Sequence, residues 1–159
     1  KNVELIAELH GLDSAAMAPR VDESLELVGL TEHEVKYPRQ LSGGMKMRAS
    51  LARSLVLQPD VFLFDEPFGA LDEISRERLN DELLSLFKAK NFAGLFITHS
   101  IAEAVFLSTR VLVMSARPGR IVADYEVPFE YPRSHEIRYD SSFAELSGKI
   151  SNDLRGAHP

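Results

Sequence analysis

Apolar residues in the first third of the chain recur every three or four positions, as they do on one face of an α-helix. The clearest set falls at positions i, i+4 and i+7: Val21, Leu25 and Val28. This set predicts a helix that ends at Gly29, because glycine readily adopts the left-handed conformation that terminates helices. A weaker pattern of the same kind runs through residues 1–10 and breaks at Gly11. Two helices are therefore predicted before residue 30.

Downstream of Ser42 the pattern alternates between helical and strand-like segments. The first segment is a helical run with an apolar residue at every fourth position: Met47, Leu51 and Leu55. It stops at residues 58–60, where a proline stands between glutamine and aspartate. Three apolar runs then predict strands over residues 61–64, 95–98 and 111–114. The first of these is wholly apolar and lies between turn signals, which is typical of a strand buried on both faces.

Three further helices are predicted between and after these strands. Asp72 can cap the first, whose buried stripe comprises Leu79, Leu83, Leu86 and Phe87. Ser100 and Glu103 have the S-x-x-E spacing of a capping box and predict a short second helix. The third is a terminal helix with an apolar stripe: Phe143, Leu146, Ile150 and Leu154.

The alternation of strands and helices predicts an α/β fold with a mostly parallel sheet and flanking helices. A turn at residues 117–120 leads into a fourth strand at residues 121–125, which predicts an antiparallel hairpin. The tail after Pro128 is polar before its helix begins. Four of its side chains are expected to form a solvated face or a regulatory contact: Arg133, His135, Glu136 and Arg138.

Composition narrows the class of protein. The 159 residues carry 18 Lys+Arg against 24 Asp+Glu, a net charge of −6, and 45% are hydrophobic. The acidic balance argues against unspecific nucleic-acid binding. The absence of cysteine excludes disulfides, thiolate zinc sites and thiol catalysis. No apolar run approaches the roughly 20 residues of a membrane-spanning helix.

Residues 41–45 place a serine and two glycines at the start of a predicted helix. Gly43 and Gly44 let backbone amides approach a ligand closely, and Ser42 can cap the helix or donate its hydroxyl. The free amides of a helix N-terminus form an anion site. The same residues equally suit a capped helix that follows a glycine turn.

Two adjacent carboxylates, Asp65 and Glu66, follow the first predicted strand. Ligands bind at the carboxyl ends of strands in open α/β sheets. In a nucleotide site the first carboxylate would reach Mg²⁺ and the second would face an attacking water. Acids at a strand end are also common as solvated loop residues, so the pair is weak evidence by itself.

Two further segments carry candidate chemistry. Residues 70–72 (Ala-Leu-Asp) precede a predicted helix, and Asp72 also suits an ordinary helix cap. His99 follows the second predicted strand. A histidine there is either structural or able to donate a hydrogen bond to a phosphate or to position a water.

In this order, the four segments resemble the second half of an ABC-type ATPase domain. Residues 41–45 resemble the signature sequence and residues 61–65 the Walker B strand. Residues 70–72 look like the D-loop of that family. The resemblance extends from about residue 23 to residue 127.

Two details refine the resemblance. Met45 ends the signature in place of the commoner glutamine, and residues 67–70 and 115–120 complete a pattern similar to the ATP-binding subunits of bacterial nitrate, sulfonate and taurine importers. The resemblance implies three parts. They are a remainder of the helical subdomain with the signature helix (1–58), half of the catalytic core (59–127) and a C-terminal tail (128–159).

The resemblance also implies roles and partners. Glu66 and His99 would be catalytic, Asp65 would bind Mg²⁺, and five residues would contact ATP: Ser42, Gly43, Gly44, Met45 and Asp72. The implied partners are a second ATPase subunit in a homodimer, a transmembrane permease and, indirectly, a substrate-binding protein, with no nucleic acid. The implied location is cytoplasmic, peripheral at the inner face of the membrane.

One expected element is missing from these 159 residues. The family's P-loop, G-x-x-x-x-G-K-[ST], cradles phosphates, whereas the only Gly-Lys here, residues 148–149, precedes Ile150. The chain is therefore expected to be a truncated form, inactive alone, that exposes apolar side chains such as Phe62, Phe64 and Phe96 and self-associates. Two alternatives stay open: a non-catalytic interaction fragment, and an ABC ATPase acting in DNA repair or translation.

Overall fold

The computed structural model describes residues 1–90 and 92–157. In these residues six α-helices form: α1 Glu4–Leu9, α2 Ser14–Leu27, α3 Gly43–Leu55, α4 Glu73–Lys90, α5 Ile101–Leu107 and α6 Ser141–Ala157. The same residues form four strands: β1 Val61–Asp65, β2 Ala93–Ile97, β3 Arg110–Met114 and β4 Ile121–Glu126. Short 3-10 helices occupy Thr31–His33, Pro38–Gln40 and His135–Tyr139. The predicted helices and strands are confirmed, with boundaries that differ by a few residues.

The strands pair in two ways. β1 and β2 are parallel, in a register that sets Val61 opposite Ala93 and Asp65 opposite Ile97. β3 and β4 are antiparallel and form the predicted hairpin. Within the described residues the two pairs belong to separate two-stranded sheets. The α/β fold is therefore confirmed, while the predicted parallel pairing holds for the first pair only, because β3 finds its partner across a short turn.

The β1–β2 pair is buried on one face, which corrects the prediction of a strand buried on both. Alternate side chains of a strand point to opposite faces. Phe62 and Phe64 are buried, whereas Val61 and Leu63 are 58% and 77% exposed. One face packs on an aromatic cluster, and no element among residues 1–90 and 92–157 covers the other. The aromatic cluster comprises Phe62, Phe64, Phe68, Phe87, Phe92 and Phe96.

This arrangement also corrects which apolar side chains are exposed. Phe62 and Phe64 were expected at the surface and are buried, and Phe96 is half-buried. The exposed side chains lie on the opposite face: Val61, Leu63, Leu95 and Ile97. The expected self-association stays a prediction, and it would now involve this opposite face.

The tail contacts the rest of the fold through two arginines. His135 and Glu136 are exposed, as a solvated face requires, but Arg133 is only 6% exposed and the Arg138 side chain 9%. The prediction of a solvated face is therefore wrong for both arginines. These two arginines are not solvated because their guanidinium groups contact other parts of the fold. Arg133 contacts backbone carbonyls of α5, and Arg138 contacts a carboxylate of α4.

Arg133 caps the C-terminus of α5. Its Nη1 donates to the carbonyl oxygens of Val105, Phe106 and Ser108 at 2.8–2.9 Å, and its Nε donates to the Phe129 carbonyl at 3.0 Å. The last carbonyls of a helix lack intrahelical partners, and the planar guanidinium offers five N–H donors. Burial lowers the pKa of Arg133. The tail thus supplies the hydrogen-bond donors for the last carbonyl groups of this two-turn helix.

Arg138 links two helices. Its guanidinium lies 3.5 Å from the ring centroid of Phe106 in α5, and its Nη1 lies 3.5 Å from a carboxylate oxygen of Asp81 in α4. A guanidinium over an aromatic face is attracted by the ring quadrupole.

In the described residues, none of the helices has both the length and the apolar character needed to cross a membrane.

Gly94 and Gly148 offer a matched test of the packing. A β-carbon on Gly94 would lie 2.8 Å from Cζ of Phe87, a ring already held 4.4 Å from the ring of Phe92. We expect Gly94→Ala to lower the free energy of unfolding by about 1–3 kcal/mol through overpacking. Gly148 lies in α6 with no neighbouring atom within 4 Å of such a carbon. Gly148→Ala should raise the free energy of unfolding by about 0.5–1 kcal/mol.

Urea denaturation of both variants measures the two changes. A Gly94→Ala variant at least as stable as the wild type would contradict the packing of Phe87 against β2.

Arg133→Lys tests the cap of α5. Lysine keeps the charge but has a single nitrogen, so buried carbonyls lose their donor at a cost of about 1–3 kcal/mol. Arg120 is exposed, and Arg120→Lys should change the free energy of unfolding by less than about 0.5 kcal/mol. Urea denaturation compares the two variants. If both variants were equally stable, the several N–H donors of the Arg133 guanidinium would not be needed to cap α5.

Candidate functional site

The carboxyl ends of β1 and β2 lie side by side and bring two candidate residues together. The Glu66 amide donates a hydrogen bond of 2.9 Å to the Ile97 carbonyl, which continues the parallel pairing by one residue. Nδ1 of His99 lies 3.2 Å from Oε1 of Glu66. Both side chains are open to solvent, with His99 63% and Glu66 51% exposed. The pair can therefore be reached by a ligand and its water.

The backbone of Glu66 is unusual. Its φ of +44° lies in the left-handed region, which costs a residue with a side chain about 1–2 kcal/mol. The Gly69 amide donates to the Glu66 carbonyl at 3.1 Å, and buried Phe68 anchors the turn between them. The turn directs the chain away from the sheet immediately after β1. Strain of this kind often marks functional sites, and nothing in the hydrophobic pattern predicts it.

Asp65 lies at the end of β1 with an exposed side chain. Among residues 1–90 and 92–157, no group of three or more acidic or histidine side chains is arranged to hold a metal ion. Mg²⁺ in nucleotide sites is commonly bound by one or two carboxylates together with substrate phosphates. The exposed carboxylate of Asp65 could supply one oxygen ligand to such a site.

The residues that resemble the signature sequence lie at the start of α3, with Ser42 as its N-cap. The Ser42 hydroxyl oxygen accepts a hydrogen bond from the Met45 amide at 3.2 Å, which is the predicted helix cap. A hydroxyl that accepts one hydrogen bond can still donate another. A β-carbon on Gly43 would lie 3.1 Å from Cδ2 of Leu71, and one on Gly44 would lie 3.8 Å from a side-chain carbon of α4. Gly43 thus permits close packing of α3 against the residues that precede α4.

Asp72 caps α4, as the sequence predicts. Its Oδ1 accepts a hydrogen bond from the Ser75 amide at 3.0 Å. Hydrogen bonds from Ser75, chiefly from its side chain and then from its amide, lower the pKa of Asp72. Asp72 and residues 42–45 therefore lie near the starts of α4 and α3, and the Leu71 side chain just before α4 lies close to Gly43.

The candidate residues thus fall into two groups. Asp65, Glu66 and His99 lie at the strand ends, and the residues of the signature and D-loop lie at the helix starts. No hydrogen bond or ion pair joins the two groups directly in the part of the chain that the structure describes.

Sequence reasoning missed a set of polar side chains behind His99. Oε2 of buried Glu103 accepts a hydrogen bond of 2.5 Å from the Thr98 hydroxyl, and its Oε1 lies 3.6 Å from Nε of Arg76. Ser100 accepts from the Glu103 amide at 3.4 Å, but the Glu103 carboxylate does not reach back to Ser100. The predicted capping box is therefore half formed. The signal that could have revealed this was Thr98 itself, a hydroxyl beside the candidate histidine.

The chain is similar to several known proteins. The ABC transporter family profile matches residues 2–69. A taurine import ATP-binding protein, TauB of Rhizobium johnstonii, is 42% identical across 98% of this chain and 64% of its own length. A nitrate import ATP-binding protein, NrtD of Synechococcus elongatus, is 48% identical across 79% of this chain and 47% of its own.

A third relative and a solved structure extend the comparison. An aliphatic sulfonates import ATP-binding protein, SsuB of Bacillus cereus, is 41% identical across 92% of this chain and 57% of its own length. The structure of cbiO1 from Clostridium perfringens, part of the ABC transporter complex cbiONQ, matches 96% of this chain and 55% of its own. The TM-score is 0.74 at 25% sequence identity.

The chain spans about half to two thirds of the length of these relatives. Nearly all of it is matched by the taurine relative, at 42% identity. The solved ABC protein shares its fold. The chain belongs to the ABC transporter family of ATP-binding proteins.

Proposed function

We propose that these residues form the water-activating half of an ATP hydrolysis site that energises import. The observation that carries the proposal is the contact between Glu66 and His99 at the ends of two parallel strands. An accessible carboxylate there can orient and polarise a water molecule. The neighbouring imidazole can donate a hydrogen bond to the terminal phosphate as charge develops on it.

Asp65 is the residue that would hold Mg²⁺, which neutralises phosphate charge when it is bound. Its exposed carboxylate follows directly on β1, one residue before Glu66. The three side chains then have separate tasks. Asp65 binds the cation, Glu66 directs the water, and His99 keeps the phosphate and the water aligned.

The signature residues would serve a nucleotide held by a second copy of the chain. Ser42 and Gly43 are exposed at the start of α3, where free amides and the helix dipole favour an anion. They make no direct polar contact with Glu66 or His99 within the described residues. Two copies paired head to tail would bring Ser42, Gly43, Gly44 and Met45 of one copy, together with Asp72, to the phosphates beside Glu66 of the other.

We further propose that the parent assembly is an importer for taurine, nitrate or sulfonates, because the named relatives serve such imports. The subunit would lie in the cytoplasm against the inner face of the membrane, on a permease fed by a substrate-binding protein. The relatives' names favour this function over an ABC ATPase in DNA repair or translation. The alternative is that the chain is a non-catalytic interaction fragment. In that case it would not bind ATP even when it is joined to a P-loop.

A chimera tests hydrolysis. A segment with the P-loop pattern G-x-x-x-x-G-K-[ST], taken from an ABC ATPase, is fused ahead of residues 1–159, because these residues contain no P-loop. We expect Mg²⁺-dependent ATP hydrolysis by the chimera and none by residues 1–159 alone. Glu66→Gln in the chimera should lower kcat by about 10²-fold or more, since it removes the base that directs the water.

Glu32→Gln is the matched control. Glu32 is exposed in the first 3-10 helix, and its loss of charge should leave kcat unchanged. Hydrolysis by the Glu66→Gln chimera at the wild-type rate would overturn the role of Glu66. A folded chimera that binds no ATP would overturn the proposed function.

A further inference from the structure

Three polar side chains next to the His99 loop form a connected group around the buried carboxylate of Glu103, here called the buried triad: half-buried Arg76, half-buried Thr98 and buried Glu103. The Arg76 side chain is 18% exposed and the Glu103 side chain 6%. The Thr98 hydroxyl donates to Glu103 at 2.5 Å, and the same oxygen accepts a hydrogen bond from the Ser100 amide at 3.0 Å. Thr98 and Ser100 flank His99, so the backbone on both sides of the histidine is tied to one carboxylate.

The other end of the buried triad reaches the residues that precede α4. Nη2 of Arg76 donates to the Leu71 carbonyl at 3.0 Å, and its Nε lies 3.6 Å from Glu103. Leu71 is also the residue that would contact a β-carbon on Gly43. Hydrogen bonds and an ion pair therefore connect the loop that carries His99 to Leu71, and the Leu71 side chain lies close to the start of α3.

Stability alone does not account for the buried triad. Removing the Glu103 carboxylate from water is costly, and a buried ion pair is often no more stabilising than apolar side chains of the same volume. Arg76 is partly exposed, and its Nη1 also lies 3.2 Å from a carboxylate oxygen of exposed Glu73. Here Nε of Arg76 and Oε1 of Glu103 are buried at 3.6 Å without a hydrogen bond to each other. What the charged pair provides, and apolar side chains would not, is a fixed direction for the Leu71 carbonyl and the Thr98 hydroxyl.

We propose that the buried triad couples two positions in the site. When Leu71 moves, the triad changes the position of His99 relative to Glu66. Thr98, Glu103 and Arg76 are positioning residues, because they act on the reaction through His99. The proposal deepens the proposed function and rests on it. When Leu71 is displaced, Arg76 and Glu103 shift the Thr98 hydroxyl and with it the His99 backbone, so contacts at the signature helix would control the alignment of the phosphate and the water.

Thr98→Val and Thr98→Ser form the matched pair that tests this proposal. Valine has the shape of threonine without the hydroxyl, and serine keeps the hydroxyl. In residues 1–159 we expect Thr98→Val to speed hydrogen exchange of the Ser100 amide and to shift the His99 imidazole resonances. Thr98→Ser and the exposed-site control Thr109→Val should leave both signals near their wild-type values. This arm requires no ATP and is independent of the proposed function.

The second arm measures hydrolysis in the P-loop chimera. We expect Thr98→Val to lower kcat by about 10-fold or more, because a shift of about 1 Å in a positioned group can cost 10²-fold. KM for ATP should change by less than about 3-fold, and Thr98→Ser should restore most of kcat. In a His99→Ala background Thr98→Val should cause no further loss, since coupled residues are not additive.

The outcomes separate the two proposals. Shifted His99 resonances with no hydrolysis in the wild-type chimera would support positioning and contradict the proposed function. An active chimera in which Thr98→Val leaves kcat unchanged, or lowers it equally with and without His99, would overturn the positioning role. Unchanged His99 resonances in Thr98→Val would also overturn it.

Discussion

The parallel pairing of β1 with β2 is the constraint on which the rest of the site depends. The hydrogen bond from the Glu66 amide to the Ile97 carbonyl extends this pairing past the end of β1, and it sets Glu66 beside the loop that carries His99. The aromatic cluster holds the pair from one face only. A shift of register by one residue would turn Phe62 and Phe64 away from that cluster. The pairing of β1 with β2 therefore fixes both the packing of the aromatic cluster and the positions of Glu66 and His99.

The helix that follows His99 is short, and polar contacts hold both of its ends. Glu103 and Thr98 act at its N-terminus, and Arg133 binds its last carbonyls. A helix of two turns has little stability of its own, so its position comes from these contacts. The tail, which carries no candidate catalytic residue, thereby contributes to the geometry of the site.

Periodicity predicted the elements well, because the side chains that pack along α2, α3, α4 and α6 repeat at helical spacing. It failed where the deciding contact is distant in the sequence. Arg133 looks like a surface charge until the carbonyl of Val105, 28 residues earlier, becomes its acceptor. The one-sided burial of β1 likewise depends on which elements cover it. The apolar runs predicted that Asp65, Glu66 and His99 lie at or just after strand ends, which is confirmed, whereas their roles toward ATP stay predictions. The left-handed backbone of Glu66 carried no sequence signal, since glutamate rarely adopts it.

The most direct test of the central claim is the scalar coupling across the hydrogen bond between the Glu66 amide nitrogen and the Ile97 carbonyl carbon. It can be measured by NMR on the isotope-labelled chain. The account predicts a resolved coupling between these two nuclei and slow exchange of the Glu66 amide proton. A coupling from Glu66 to another carbonyl, or an amide that exchanges as fast as in an unstructured peptide, would contradict the register that brings Glu66 and His99 together.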